Sequence, residues 1–212
     1  MDARAIAVIA KAPLAGRSKT RLTPPCSGEQ AAALATSALI DTLAAIAATP
    51  CARRVVVLDG NPGAWLRPGF ELIAQRGTGL AGRLAAAFED IAAPALIVGM
   101  DTPQLTPRLL HHALARLAGA DAVLGAAPDG GYWSIGLQRA DDAVFAGVPM
   151  SDPATCAVQR ARLHALGLRT RELPELRDVD DIADARAVAA LAPGTRFART
   201  LAALGLCEVL AA

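Results

Sequence analysis

Aromatic side chains are scarce: four Phe, two Trp and one Tyr among 212 residues. A core short of rings must be built from Ala, Leu, Val and Ile, the composition of helices packed on a buried sheet. Net charge is equally small. Twenty-one Lys plus Arg against twenty Asp plus Glu leave a formal +1, without the basic excess that nucleic-acid binding needs. Any basic site must therefore be local. No apolar run approaches the length of a membrane span; "IAAPALIVGM" is ten residues and contains Pro94. The opening "MDARAIAVIAK" is too briefly apolar for a secretory leader, and no small-residue cleavage site follows it. Cys26, Cys51, Cys156 and Cys207 are scattered with no C-x-x-C pair, which argues against a disulfide framework or zinc site and for a reduced, cytoplasmic chain. His111, His112 and His164 lack ligand spacing, and no Ser-His-Asp set can be argued. The phosphate-binding patterns G-x-x-x-x-G-K-[ST] and G-x-G-x-x-G are also missing.

What is present is alternation. Residues 4–10 read as a buried strand ended by a loop with Pro13 and Gly16, and Ser27 with Gln30 forms a capping box for a helix to about residue 48. "RRVVVLDG" and "FELIAQR" are further strands, and "GTGLAGRLAAAFEDI" is a Gly-rich turn entering a helix. "ALIVGM" is the central strand, and Thr106-Pro107 opens the next helix. "DAVLGAAP" and the end of "DGGYWSIGL" are strands, the latter a candidate antiparallel member. Asp152-Pro153 starts a helix closed by Gly167, "LRTREL" is a short strand, and "RDVDDIADARAVAAL" is a loop with a capped helix. The segment after Pro193-Gly194 is expected to be helical to the end, with a face that a second copy would cover in a homodimer. Residues 1–212 thus read as a single domain, a three-layer α/β/α sandwich with a mostly parallel sheet. In such sheets ligands lie beyond the carboxyl ends of the strands.

Four motifs follow strands. "KAPLAGRSKTRL" places Lys11, Arg17, Lys19 and Arg21 around a turn holding Gly16, a pattern that fits phosphate binding by cations and free amides and equally a solvated basic loop. In "VGMDTPQLTP", Asp101 emerges from a buried strand, where a carboxylate is costly without a partner such as Mg²⁺; a turn-forming Asp is the plainer alternative. "PDGGYW" groups Asp129, Gly130, Gly131 and Tyr132, with glycines that admit a ligand and aromatics for a ring-shaped one, or a simple turn over the core. "RDVDDIAD" offers Asp178, Asp180, Asp181 and Asp184; Asp180 or Asp181 either caps the helix or completes a metal site with Asp101. Gly79 and Gly82, in "RGTGLAGRL", belong to a loop that either contacts a nucleotide or merely connects.

The order of these motifs resembles the GT-A superfamily, and within it a bacterial branch of glycosyltransferase-like, nucleotide-diphospho-sugar transferase proteins, some associated with arsenosugar biosynthesis. The resemblance covers residues 4 to about 190. It implies a Rossmann-like sheet of GT-A type. It further implies that Lys11, Gly16, Arg17, Lys19 and Arg21 surround the donor phosphates, and that Asp101 and Asp180 hold Mg²⁺ or Mn²⁺. Asp129, Gly130, Gly131 and Tyr132 would face the acceptor, and Gly79 and Gly82 would lie near the nucleotide. Two departures stand out: "MDTP" replaces the usual D-x-D, and the opening loop has one glycine where related nucleotidyltransferases carry several.

The function expected from these residues is metal-dependent glycosyl transfer from a nucleotide-diphospho-sugar to a small-molecule acceptor, with Asp101, Lys19 and Asp129 as catalytic residues. The alternatives are a nucleotidyltransferase, guanylyltransferase-like, which releases pyrophosphate from a nucleoside triphosphate, and a non-catalytic nucleotide-binding protein. Neither a nucleic acid nor a membrane is an expected partner.

Overall fold

The computed structural model describes residues 4–207, and within them strands and helices alternate largely where the apolar periodicity places them. In chain order these are β1 (Ala5–Lys11), α1 (Gly28–Ala47), β2 (Arg53–Asp59), β3 (Glu71–Ala74), α2 (Gly79–Ile91), β4 (Ala95–Gly99), α3 (Pro107–Ala118), β5 (Ala122–Ala126), β6 (Tyr132–Leu137), α4 (Thr155–Ala165), β7 (Thr170–Leu173), α5 (Ile182–Leu191) and α6 (Arg196–Ala203). The strands form one mixed sheet in the order β3-β2-β1-β4-β6-β5-β7. Among the described residues only β6 runs antiparallel, to β4 on one side and β5 on the other. It follows β5 through the tight Asp129–Gly131 turn, too short for a crossover, so the chain must reverse.

Local chemistry sets the helix starts. At α1 the Ser27 hydroxyl accepts the Gln30 amide at 3.2 Å while the Gln30 side chain accepts the Ser27 amide at 2.8 Å. At α3 the Thr106 hydroxyl accepts the Leu109 amide at 3.2 Å, with Pro107 at the first helical position. Each such cap is worth about 1 kcal/mol. Asp152 and Pro153 lie in the turn before α4, which begins at Thr155, and Gly167 follows its end with φ 70°.

Two cores sandwich the sheet. Leu39, Leu43 and Ile46 of α1 with Leu110, Leu114 and Leu117 of α3 cover Ile6, Val8, Val56, Leu96 and Val98. Leu84, Phe88 and Ile91 of α2 with Leu163 of α4 cover the opposite face, at Ala7, Val55, Val57, Ile97 and Leu124. A third cluster adds a partial fourth layer: α5 and α6 bury Val188, Phe197 and Leu201 against Ala31, Leu34 and Ala38 on the outer side of α1. This explains why α1 is apolar enough by length and mean hydropathy, 1.4, to cross a membrane. It is buried on two sides within the fold. Its Asp41 carboxylate accepts the Arg196 and Phe197 amides at 3.1 and 2.8 Å, an anion at the start of α6. The face of α6 expected to meet a second copy is therefore used inside the chain. The final helix is also shorter than expected: α6 stops at Ala203, with Gly205 at φ 69° beyond it, and the expected continuation over 208–212 lies outside the described residues.

Candidate functional site

From β1 the parallel strands are laid outward in both directions, to β2 and β3 on one side and β4 on the other. The switch point lies between the carboxyl ends of β1 and β4, where diverging loops leave a crevice. The loops bearing the basic motif and Asp101 both leave from there. A hollow of about 300 Å³ opens beneath them, walled by Leu80, Arg83, Met100, Asp101, Tyr132 and Trp133.

The basic loop is closed by its own backbone. Arg17 and Ser18 amides donate to the Leu14 carbonyl, and the Leu14 amide donates to the Ser18 hydroxyl at 3.0 Å. Those amides are spent on the turn, so the cationic side chains carry the loop's positive character. Gly16, at φ 72°, gives the turn its left-handed step, and Gly28 packs close against it. Lys19 also has a left-handed backbone, φ 50° and ψ 45°, a conformation costing a non-glycine residue about 1 kcal/mol. Its Nζ stands 2.6 Å from Asp101 Oδ2 and 3.3 Å from Asp180 Oδ1. Burial opposes the Lys19 charge, but Asp101, by charge and hydrogen bond, and then Asp180 and Asp178 outweigh it and hold the ammonium above its ordinary range. Arg21 donates to Asp180 Oδ2 at 2.8 Å. Lys11, Arg17, Lys19 and Arg21 all line one hollow of about 520 Å³.

Asp101 lies two residues past the end of β4, and Gly99 makes room for it, since a Cβ at Gly99 would stand 2.9 Å from Asp101 Oδ1. The late loop docks against it through the Val179 amide, which donates to the Asp101 carbonyl at 3.0 Å. Asp178, Val179 and Asp180 then alternate as in a strand: Val179 is buried in the third cluster while both carboxylates face Asp101. One oxygen from each of Asp101, Asp178 and Asp180 lies within 4.8 Å of the other two. Helix capping falls to the next residues. Asp181 accepts the Asp184 amide at 2.9 Å, and Asp184 accepts the amides of Asp180 and Asp181 and pairs with Arg177 at 2.7 Å. Asp181 is the cap, and Asp180 is released to the site.

Burial, with Asp101, Asp129 and Asp180 nearby, pushes the Asp178 carboxyl up to about 7. A raised carboxyl is protonated in the fold while already ionised in the unfolded chain, so stability falls as pH climbs from about 4 to 7. Asp178→Asn copies the protonated form. Without divalent ions it is expected to raise the thermal midpoint most at pH 8 and little at pH 4, as differential scanning calorimetry would read. An equal effect at both values would contradict the stated cause.

Asp129, Gly130 and Gly131 form the turn into β6. Asp129 Oδ1 accepts the Gly131 amide at 2.8 Å, and the Gly130 carbonyl accepts the Cys156 amide at 2.8 Å. Gly130 has φ 89°, and a Cβ there would overlap the Pro153 carbonyl. Gly130→Ala is expected to cost about 3 kcal/mol, adding left-handed strain to overpacking, and to lower the thermal midpoint by roughly 10 °C. Gly147→Ala has a similar φ, 75°, but open space around it, and should cost about 1 kcal/mol. Equal losses would remove the packing argument. Asp129, Gly131 and Tyr132 line a further hollow of about 660 Å³ that also reaches Asp101 and Asp180. The Tyr132 hydroxyl donates to Gln159 Oε1 at 3.4 Å, and burial pushes its ionisation well above the ordinary range. Trp133 is buried against Gly125, its indole donating to the Pro174 carbonyl at 3.0 Å.

Gly79 opens α2 with φ 66°, one residue before Leu80, which borders the site. Gly82 instead packs against the Gly77 backbone and lines a separate hollow with Arg76, Glu89 and Asp141. His111, His112 and His164 are exposed on α3 and α4. The motif reading left out Gln75 and Arg83 of the first hollow. Gln75 donates to the Ala10 and Val57 carbonyls at 2.7 and 3.0 Å, and Arg83 donates to Asp59 at 2.9 Å and Gln75 at 3.1 Å. It also named Asp178 without joining it to Asp101. The signal for that was in the sequence, since Asp178-Val-Asp180 is itself a D-x-D.

No protein of curated function matches the sequence significantly. Among solved structures, a Desulfovibrio desulfuricans G20 protein described as a candidate nucleotide-diphospho-sugar transferase is 27% identical, with 97% of this chain and 95% of that one covered at a TM-score of 0.84. A Mycobacterium tuberculosis H37Rv protein solved in complex with manganese is 19% identical, covering 89% and 98%, TM-score 0.57. The 2-C-methyl-D-erythritol 4-phosphate cytidylyltransferase of Thermus thermophilus is 17% identical, covering 91% and 100%, TM-score 0.56. The last two likenesses establish a shared fold. With the Desulfovibrio likeness, they place the chain in the fold shared by that protein and by nucleotidyltransferases. The model of one bacterial family, described as "Uncharacterized protein conserved in bacteria (DUF2064)", matches residues 42–152, just over half of the sequence, and the chain belongs to that family.

Proposed function

We propose that the protein transfers a glycosyl group from a nucleotide-diphospho-sugar to an acceptor hydroxyl, with Mg²⁺ or Mn²⁺ held by Asp101, Asp178 and Asp180. The observation that carries this is the meeting of these three carboxylates at the switch point, edge to edge with a hollow lined by four cations. The donor set fits such an ion: it is all carboxylate oxygen, as hard divalent cations prefer. Lys19 already presents a cation to two of the three, so the cluster favours positive charge at that spot. Bound there, the metal would draw negative charge from the diphosphate leaving group.

The residues divide the work by position. Lys11 and Arg17 attract the diphosphate into the cationic hollow, and Lys19 and Arg21 stand between it and the carboxylates. As the bond from the sugar's anomeric carbon to the phosphate oxygen breaks, charge gathers on that oxygen, where fixed cations stabilise it most. The acceptor oxygen forms the new bond to the anomeric carbon, and its proton passes to Asp129, which lines the adjoining hollow.

A second reading has one observation in its favour: four cations around one hollow suit a triphosphate as well as a diphosphate. The experiment for both is product identification. The protein is incubated with nucleotide-diphospho-sugars or nucleoside triphosphates, each with Mn²⁺ or with a chelator. Metal-dependent release of nucleoside diphosphate with a glycosylated product is the expected result. Pyrophosphate released from a triphosphate would replace glycosyl transfer with nucleotidyl transfer, and turnover unchanged by the chelator would remove the metal.

A further inference from the structure

The site is electrically divided. The cationic hollow carries Lys11, Arg17, Lys19 and Arg21 with a single carboxylate, Asp180, at its border. Across Asp101 and Asp180, the larger hollow of about 660 Å³ is the reverse. Besides Asp101, Asp178 and Asp180, it is bordered by Asp129 and Asp152, with the capping pair Asp181 and Asp184 behind. Arg21 is its one lining cation among the described residues, and Arg21 is paired with Asp180 at 2.8 Å. The nearby cations are also engaged, Lys19 by Asp101 and Arg177 by Asp184 at 2.7 Å. A divalent ion at the three-carboxylate cluster would still leave carboxylates in excess. Leu80, Tyr132, Met150 and Pro153 form the apolar part of the wall, a surface for the carbon face of a small ring, beside Gly131, Ser151 and Thr155.

We propose that this hollow receives the acceptor, and that the acceptor is a hydroxyl compound with no phosphate or carboxylate, neutral or carrying an amino group. The inference rests on the transferase reading and narrows it. A phosphorylated acceptor would bring two further negative charges among carboxylates and find no free cation lining the hollow among the described residues. An ammonium group would meet several acceptors of its charge. Charges a few ångströms apart at a partly exposed site change affinity by roughly tenfold or more each.

The test reads binding and turnover separately. Isotope-labelled full-length protein with Mg²⁺ and a nucleoside diphosphate is titrated with glucosamine, glucose or glucose 6-phosphate while the Gly131, Ser151 and Thr155 amides are followed by NMR. Glucosamine and glucose should shift those amides at concentrations roughly a hundredfold below glucose 6-phosphate. Asp152→Asn keeps an oxygen for the Ala154 amide, which Asp152 accepts at 2.8 Å, and should narrow that gap. Shifts from glucose 6-phosphate at the same or lower concentration would overturn the proposal, as would the absence of shifts from all three. Nucleoside diphosphate release from sugar donors, followed alongside, reports on glycosyl transfer itself. Its absence with the binding order intact would count against the reaction and not against the polarity of the hollow.

Discussion

Asp101→Asn is expected to lower turnover on the order of a thousandfold while leaving the fold in place. Loss of one group that stabilises developing charge costs about 10² to 10³ in rate, and Asp101 sits where three requirements meet. It lies just past the central strand, it holds Lys19 at 2.6 Å, and its carbonyl anchors the late loop through Val179. Only the second involves the side chain. Asparagine keeps its volume within the space left by Gly99, so the strand end and the Val179 anchor survive. What disappears is one of three carboxylates and the charge facing Lys19. Circular dichroism should match the parent, the thermal midpoint should move by a few degrees, and calorimetric Mn²⁺ binding should weaken together with turnover. Full turnover in Asp101→Asn would remove this residue from the reaction, whatever the metal result.

The fold was largely legible because its instructions are local. Ser27 with Gln30, Thr106 with Pro107, and the apolar runs of β1, β2 and β4 act within a few residues of themselves, and each produced the expected element. The turn "DGGYW" even announced the reversal that makes β6 antiparallel. The fourth layer was not legible. Burial of α5 and α6 on the outer side of α1 depends on partners more than a hundred positions away, and an apolar helix face carries no address. The same limit applies to the site. Asp101 and Asp180 were joined as a candidate metal pair, but Lys19 was assigned only to the phosphate loop, because its contacts to the two carboxylates span 82 and 161 positions. Asp178 was present as half of a D-x-D and was masked by the acidic residues around it, two of which form the α5 cap. A one-residue question, which of four aspartates caps, separated a capping motif from a ligand pair.

Lys19→Met should separate two roles that one side chain holds in succession. Its ammonium is now the counter-ion of Asp101 and Asp180, with only 14% of the side chain exposed, on a backbone held left-handed. A polyphosphate in the cationic hollow offers the same ammonium a second set of oxygens. Methionine keeps the length and apolar stem and removes the charge. Without nucleotide, the three carboxylates then lose their internal cation, and Mn²⁺ should bind more tightly, by about tenfold or 1.4 kcal/mol. That is a modest share of a contact ion pair, worth about 4 kcal/mol at 4 Å in an effective dielectric of 20. With nucleotide the sign reverses: donor turnover should fall about a hundredfold, as when one stabilising donor on a leaving group is lost. Calorimetry at pH 8, where Asp178 is largely ionised, reads the first effect, and product release reads the second. Weaker metal binding in Lys19→Met would mean that the lysine organises the carboxylates and does not compete for them. Unchanged turnover would place it outside the donor's reach.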